Sequence, residues 1–133
     1  ELHKRGIKLI VHLIIGLPGE TKEMMRASVS YAAALPVFGM KLQLLHILKG
    51  TDLHTYYESH PFDTFTLDDY CDFVTECVAL LPPDIVIHRL TGDGPKKLLA
   101  APLWSADKKR VLNQLQRTFR EKDIWQGKYY PQS

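Results

Sequence analysis

The chain has 133 residues, of which 45% are hydrophobic and 24% are charged, and its net charge is +2. This composition excludes a disordered tail and a collagen-like fibre, and the length suits one domain of ordinary size. The net charge alone is too small to indicate a class of partner. Because the first residue is Glu1 rather than a methionine, we expect the sequence to begin inside a longer protein.

Three segments are predicted to be buried parallel strands. Residues 8–16 (KLIVHLIIG) form an apolar run rich in β-branched side chains, which a Gly-Leu-Pro-Gly sequence ends. Residues 40–48 (MKLQLLHIL) and 84–90 (DIVIHRL) have the same character. We expect residues 91–102 to form a loop, because they contain two glycines and two prolines.

Helices are predicted between the strands at residues 21–35, 52–59 and 66–81, and after the loop at residues 105–122. Thr66 and Ser105 are the predicted N-caps of the last two. Strands that alternate with helices favour parallel βαβ units. Because three parallel strands cannot close a barrel and leave exposed edges, the sequence predicts an α/β fold that is part of a larger protein.

The two cysteines do not indicate a metal site. Cys71 and Cys77 are six residues apart in one predicted helix, a rise of roughly 9 Å that is too long for a disulfide. No second pair of cysteines exists to complete a zinc site. We therefore expect free thiols in a reducing compartment, the cytoplasm. No apolar run reaches the ~18 residues that a membrane-spanning helix needs.

Charge is unevenly distributed along the chain. Residues 51–93 carry nine acidic and one basic side chain, whereas residues 94–133 carry nine basic and three acidic ones. The basic end is compatible with a phosphate-bearing partner such as RNA. The alternative is an ordinary solvated helix surface.

Polar side chains interrupt all three predicted strands, at positions where side chains two residues apart share a face. A polar face inside a buried sheet is costly unless it lines water or a ligand. For any single residue the alternative is a satisfied core histidine or a cation that snorkels at a strand end. The pattern on three strands together favours a ligand-lined cavity, and the residues concerned are Lys8, His12, Lys41, Gln43, His88 and Arg89.

Glycine-bearing turns follow each predicted strand, at residues 16–21, 49–51 and 91–94. The carboxyl-terminal ends of parallel strands are where α/β proteins bind ligands, and the alternative is that each segment is a plain turn. Asp93 is a candidate general acid or base, or a turn-forming residue. The sequence contains neither a P-loop nor a GxSxG elbow, and it shows no complete set of catalytic residues.

Several motifs resemble the radical SAM family. Residues 11–21 (VHLIIGLPGET), 41–43 (KLQ) and 48–51 (LKGT) resemble the second half of a radical SAM barrel. Residues 87–93 (IHRLTGD) and 102–105 (PLWS), with Lys108 and residues 126–128 (QGK), are similar to its YhcC-like bacterial group, which is related to the Elp3 radical SAM proteins. The resemblance covers nearly the whole chain.

This resemblance implies the C-terminal part of a partial (β/α)6 TIM-like barrel, with three parallel strands and a C-terminal helical extension. Residues 1–90 would be the βα units and residues 91–133 the extension. It also implies a [4Fe-4S] cluster, bound by a CxxxCxxC motif that this sequence lacks, and S-adenosylmethionine, which is cleaved to a 5′-deoxyadenosyl radical. The parent protein would be an enzyme, and this fragment alone would be inactive without the missing N-terminal half of the barrel.

The resemblance also assigns roles to residues. His12, Ile14 and Gly16 would contact the adenosyl part of S-adenosylmethionine, and Leu48 would lie near its adenine. The residues that would face the substrate side are Lys41, Gln43, His88, Arg89 and Asp93.

The alternative function is a non-catalytic module that binds RNA or protein. Exposed strand edges also predict that the fragment associates with itself.

Overall fold

The structure is a computed structural model that describes Gly6, residues 8–92 and residues 94–131. Strands and helices alternate along most of the chain, as the sequence predicts. The strands are β1 (Ile10–Ile15), β2 (Gly39–Leu44), β3 (Ile47–Leu48), β4 (Val86–Arg89) and β5 (Leu99–Ala101). The α-helices are α1 (Lys22–Ala33), α2 (Asp52–Ser59), α3 (Leu67–Ala79) and α4 (Lys108–Glu121).

Strands β1, β2 and β4 form a parallel sheet in the order β1-β2-β4. Its first two strands pair in register from Ile10 with Gly39 to Ile15 with Leu44. Between β2 and β4 the register shifts after Met40, so that Lys41 pairs with Arg89. This sheet with its helices confirms the predicted α/β fold.

The predicted second strand, residues 40–48, is wrong as a single element. Strand β2 ends at Leu44, and β3 leaves the parallel sheet to pair antiparallel with β5. Strand β5 lies in the segment that was expected to be a loop. Hydrophobic periodicity does not distinguish these cases, because an apolar run looks the same whether or not the chain changes direction within it.

Side-chain caps explain where the helices begin. The hydroxyl groups of Thr21 and Thr66 accept hydrogen bonds from the first turns of α1 and α3, each at 3.1 Å. The predicted cap of the last helix is wrong, because Asp107 rather than Ser105 accepts the bond from the N–H of Arg110. Ser105 lies in a preceding 3₁₀ turn, and its hydroxyl group is engaged elsewhere.

The core lies on one side of the parallel sheet, where α1 and α3 cover it. Its β2 contribution is Met40, Leu42 and Leu44, which are almost inaccessible to solvent. Helix α3 adds Tyr70 and Phe73, which are also buried. Within the part of the chain that the structure describes, no helix has the length and apolar character needed to cross a membrane.

Candidate functional site

The side of the parallel sheet that faces away from the core is open. Alternation along β1 exposes Ile10 and Ile14, each 44% accessible, whereas Ile15 on the other side is 1% accessible. We call this side the open face. It comprises Ile10, His12 and Ile14 of β1, Gly39, Lys41 and Gln43 of β2, and His88 of β4.

The structure brings four of the predicted polar residues onto the open face. The Nε2 atom of His12 and the Oε1 atom of Gln43 are hydrogen-bonded, and Lys41 lies opposite His12 in the register. The ring of His88 lies over Gly39, where an added Cβ atom would be 2.7 Å from that ring. Gly39 therefore makes room for the imidazole.

Three other predicted site residues lie elsewhere. Arg89 pairs with Lys41 after the register shift, and it lines a groove of about 710 Å³ beside Leu112 and Trp125, which His88 also lines. Leu48 is in β3, outside the parallel sheet, with its Cδ2 atom 2.9 Å from where a Cβ of Gly94 would be. Asp93 lies outside the described residues. The roles of all three stay predictions.

At the carboxyl-terminal end of β1 the chain turns at Gly16, whose φ of +101° favours glycine. An added Cβ there would be 3.6 Å from the ring of Phe65 and 3.9 Å from the Cβ of Leu45. A cavity of about 330 Å³ lies between this turn and residues 62–65. The turn leaves backbone accessible beside a space that a small ligand can enter.

At the end of β2, His46 is held between two segments. Its Nδ1 atom accepts a hydrogen bond from the N–H of Gly94 at 3.0 Å, and its Nε2 atom lies 2.7 Å from Oγ of Ser105. The polar pattern on the predicted strands includes neither His46 nor Ser105. The only signal was the pair of glycines at residues 92 and 94, which also fits a plain turn.

Aromatic residues support this end of the sheet. The indole N–H of Trp104 donates to the carbonyl of Phe65 at 2.8 Å, and the hydroxyl of Tyr70 donates to the carbonyl of Leu90 at 2.6 Å. The rings of Tyr70 and Trp104 are 5.5 Å apart. Burial raises the pKa of Tyr70, so the phenol keeps its proton and remains a donor. These contacts connect Phe65, just before α3, with the end of β4.

The two cysteines are free and buried in α3. Burial, with the nearby charges of Asp68 and Asp72, raises the pKa of Cys71 to about 11. Burial, with the charge of Glu76, raises the pKa of Cys77 to about 12. Among the described residues, no group of three or more His, Cys, Asp or Glu side chains could bind a metal ion. Because metal ligation needs thiolates, these residues do not fit an iron–sulfur cluster.

The sequence profile of the Radical_SAM C-terminal domain matches residues 37–121. The chain belongs to the radical SAM family. It is 38% identical to the protein YtqA of Bacillus subtilis over 130 residues, and 31% identical to the protein YhcC of Escherichia coli K12 over 121 residues. These matches cover 98% and 91% of this chain, but only 40% and 39% of the two relatives.

This radical SAM chain has a more distant similarity to Elongator complex protein 3. It is 25% identical to human Elongator complex protein 3 over 99 residues, which are 72% of this chain and 18% of that protein. The fold matches that of the archaeal Elp3 of Methanocaldococcus infernus with a TM-score of 0.78 at 17% identity, over 94% of this chain and 29% of that one. The family and its Elp3-like fold are therefore as predicted, while the division between residues 90 and 91 stays a prediction.

Proposed function

We propose that this chain is the C-terminal part of a radical SAM iron–sulfur enzyme, and that its open face forms one wall of the active site. The observation that supports this is the contrast between the two sides of the sheet. One side is covered by α1 and α3, whereas the other exposes Ile10 and Ile14 on either side of His12. An apolar strand face that carries a histidine suits a surface that another part of the protein or a ligand covers.

The open face fits one side of S-adenosylmethionine. Ile14 offers an apolar surface to the adenosyl group, and His12 offers a hydrogen-bonding ring next to it. Gly16 has no side chain that could cover the backbone at the end of the strand. In the parent protein, S-adenosylmethionine and a [4Fe-4S] cluster that receives one electron from a reductant would supply radical chemistry at this face. The cluster ligands would belong to the part of the parent protein that this sequence lacks.

Substrate would meet the polar half of the open face. Lys41 carries a positive charge, and Gln43 is oriented by its hydrogen bond with His12. His88, which Gly39 accommodates, extends this polar surface to β4. These three side chains orient a polar substrate through hydrogen bonds and charge.

The N-terminal half of the barrel is the proposed partner of this chain. No strand in residues 8–92 and 94–131 pairs with the outer edge of β1, so its backbone groups are available to a preceding strand. Without that half, the fragment is expected to associate through its strand edges, and light scattering would detect the dimers and larger species. The free thiols of Cys71 and Cys77 are consistent with a cytoplasmic location.

Reconstitution of the full-length protein tests the proposed function. After loading with iron and sulfide under argon, the protein is expected to acquire the visible absorbance of an iron–sulfur cluster and to form 5′-deoxyadenosine from S-adenosylmethionine with a reductant. The isolated 133-residue chain is the matched control, and it should bind S-adenosylmethionine weakly or not at all. A colourless, inactive full-length protein would contradict the proposal, and micromolar binding by the chain alone would contradict its fragment character.

The second candidate is a non-catalytic module that binds RNA. Helix α4 favours it, because Lys109, Arg110, Arg117 and Arg120 are all exposed. Phosphate binding through such residues weakens as salt concentration rises. Short RNA titrated at several salt concentrations, with Arg117→Glu as the altered variant, distinguishes this surface from an ordinary solvated helix. Salt-dependent binding by a full-length protein that holds no cluster would favour the module over the enzyme.

A further inference from the structure

One histidine holds together the end of the sheet where the turns lie. His46 follows β2 by two residues. Gly94 donates its N–H to Nδ1 of this ring at 3.0 Å, and Ser105 meets Nε2 with its Oγ atom at 2.7 Å. Gly94 and Ser105 are 48 and 59 residues from His46 in the sequence, so this side chain joins distant parts of the chain.

The hydrogen bonds define the protonation of His46. Because the N–H of Gly94 can only donate, Nδ1 carries no proton, and the proton of the neutral ring is on Nε2. Nε2 then donates to the hydroxyl oxygen of Ser105, which is 3% accessible. In this tautomer the imidazole cannot take the proton of Ser105. The pair is therefore not a nucleophile and base, and the ring acts as a connector.

Two nearby glycines, Gly92 and Gly94, leave room for this ring. A Cβ atom on Gly92 would be 1.9 Å from Nε2 of His46, and one on Gly94 would be 2.7 Å from Nδ1. Gly92 is not among the glycines with a positive φ, so backbone conformation does not demand a glycine there. Their missing side chains serve the close contact with the imidazole. The close packing of Gly92 on the imidazole is a second observation, separate from the hydrogen bonds, that places His46 at the centre of this contact.

We propose that His46 is a positioning residue, which fixes Thr91, Gly92 and Gly94 at the carboxyl-terminal end of β4. In the order β1-β2-β4, these residues lie on the opposite side of the sheet end from the Gly16 turn. Thr91 lines the groove of about 710 Å³ beside Leu112 and Phe119, and Gly92 and Gly94 leave room for the ring of His46. This role rests on the proposed radical SAM function, because the carboxyl-terminal ends of the strands would then border the substrate site.

Two substitutions of His46 separate its two hydrogen bonds. His46→Asn places an amide oxygen near the position of Nδ1, so it retains an acceptor for the N–H of Gly94. His46→Gln places an amide nitrogen near the position of Nε2, so it retains a donor to Ser105. Each variant loses the ring and one of the two bonds. We expect them to lose similar amounts of stability and to differ in whether the loop after β4 is held.

Three measurements on the reconstituted full-length protein test the proposal. The thermal midpoints of the two variants should be similar. Hydrogen exchange of a peptide that spans residues 90–98 should stay slow in His46→Asn and become fast in His46→Gln. The rate of 5′-deoxyadenosine formation should fall about fivefold in His46→Gln, the equivalent of one hydrogen bond, and stay within about twofold in His46→Asn.

The outcomes separate this proposal from the proposed function. Slow exchange in His46→Gln, or equal rates of 5′-deoxyadenosine formation in both variants, would overturn the positioning role. Rates that simply follow the thermal midpoints would overturn it as well, because a purely structural role predicts that relation. A wild-type protein that forms no 5′-deoxyadenosine contradicts the proposed function instead, and hydrogen exchange then still decides whether His46 holds the loop.

Discussion

The two faces of the parallel sheet share the same three strands but differ in what they contact. On the covered face, Leu42 is 0% accessible and packs among residues of α1 and α3. On the open face, its neighbours Lys41 and Gln43 are only half-buried. Because alternate residues along a strand point to opposite sides, one short segment of sequence supplies both surfaces.

This difference indicates how stability and function are divided in the chain. The covered face removes apolar area from water and stabilises the fold. The open face leaves aliphatic and polar groups accessible together, which contributes little to folding, and it is the surface that the proposed function assigns to a ligand. Substitutions on the covered face should therefore lower stability, whereas substitutions on the open face should weaken ligand binding and leave stability nearly unchanged.

The largest expected effect is on the covered face. Leu42→Ala should lower the free energy of unfolding by about 2–5 kcal/mol, because it leaves a cavity between the sheet and the helices. Lys41→Ala is the matched control on the other face, and it should change that free energy by less than about 0.5 kcal/mol. Urea unfolding measures both. Equal destabilisation by the two variants would mean that the open face is part of the core.

A second prediction concerns the fit between Gly92 and His46. Gly92→Ala should destabilise by about 1–3 kcal/mol, because its new methyl group would overlap a ring that two hydrogen bonds hold in place. In a His46→Ala background the same change should cost less than about 0.5 kcal/mol, because the ring is gone. Thermal or urea unfolding of the four proteins gives the coupling. Additive effects would show that the ring and the glycine do not interact.

Much of the fold could be predicted from local sequence patterns. Buried strands, the helix cap at Thr66 and the α/β order follow from apolar runs, cap residues and prolines that lie close together in the sequence. The predicted His12, Lys41, Gln43 and His88 came together because a strand's alternation fixes the side on which each residue lies.

The errors have a different physical origin. Strands β3 and β5 form by pairing two short segments about fifty residues apart, and local periodicity carries no information on such a partner. The environment of His46 is likewise made by Gly94 and Ser105, which are 48 and 59 residues away. The hydroxyl group of Ser105 suits a helix cap, which is why the sequence predicts one there. In the structure this hydroxyl contacts the distant His46, and Ser105 lies in a 3₁₀ turn.

The third prediction uses pH to test the covered side. The pKa of Cys77 is raised from 9.0 to about 12 in the folded state, mainly by burial. The protonated thiol therefore favours the fold, and this contribution is complete below pH 9 and is lost as the pH rises from 9 towards 12. At pH 10 the loss should be about 1.4 kcal/mol relative to pH 8. Cys77→Ala should lack this component, and a parallel pH dependence in both proteins would contradict the assignment.

The smallest expected effect on stability belongs to His12, at the centre of the open face. His12→Ala removes its hydrogen bond with Gln43, but both groups then bind water, so the free energy of unfolding should change by less than about 0.5 kcal/mol. In the reconstituted full-length protein, the same change should weaken binding of S-adenosylmethionine about fivefold, the equivalent of one lost ligand contact. Calorimetric titration measures the affinity, and Arg117→Ala, on the exposed side of α4, is the control that should leave it unchanged. If His12→Ala destabilised the protein and left the affinity intact, the histidine would support the fold rather than the ligand. The assignment of ligand binding to the open face would then be wrong at its central residue.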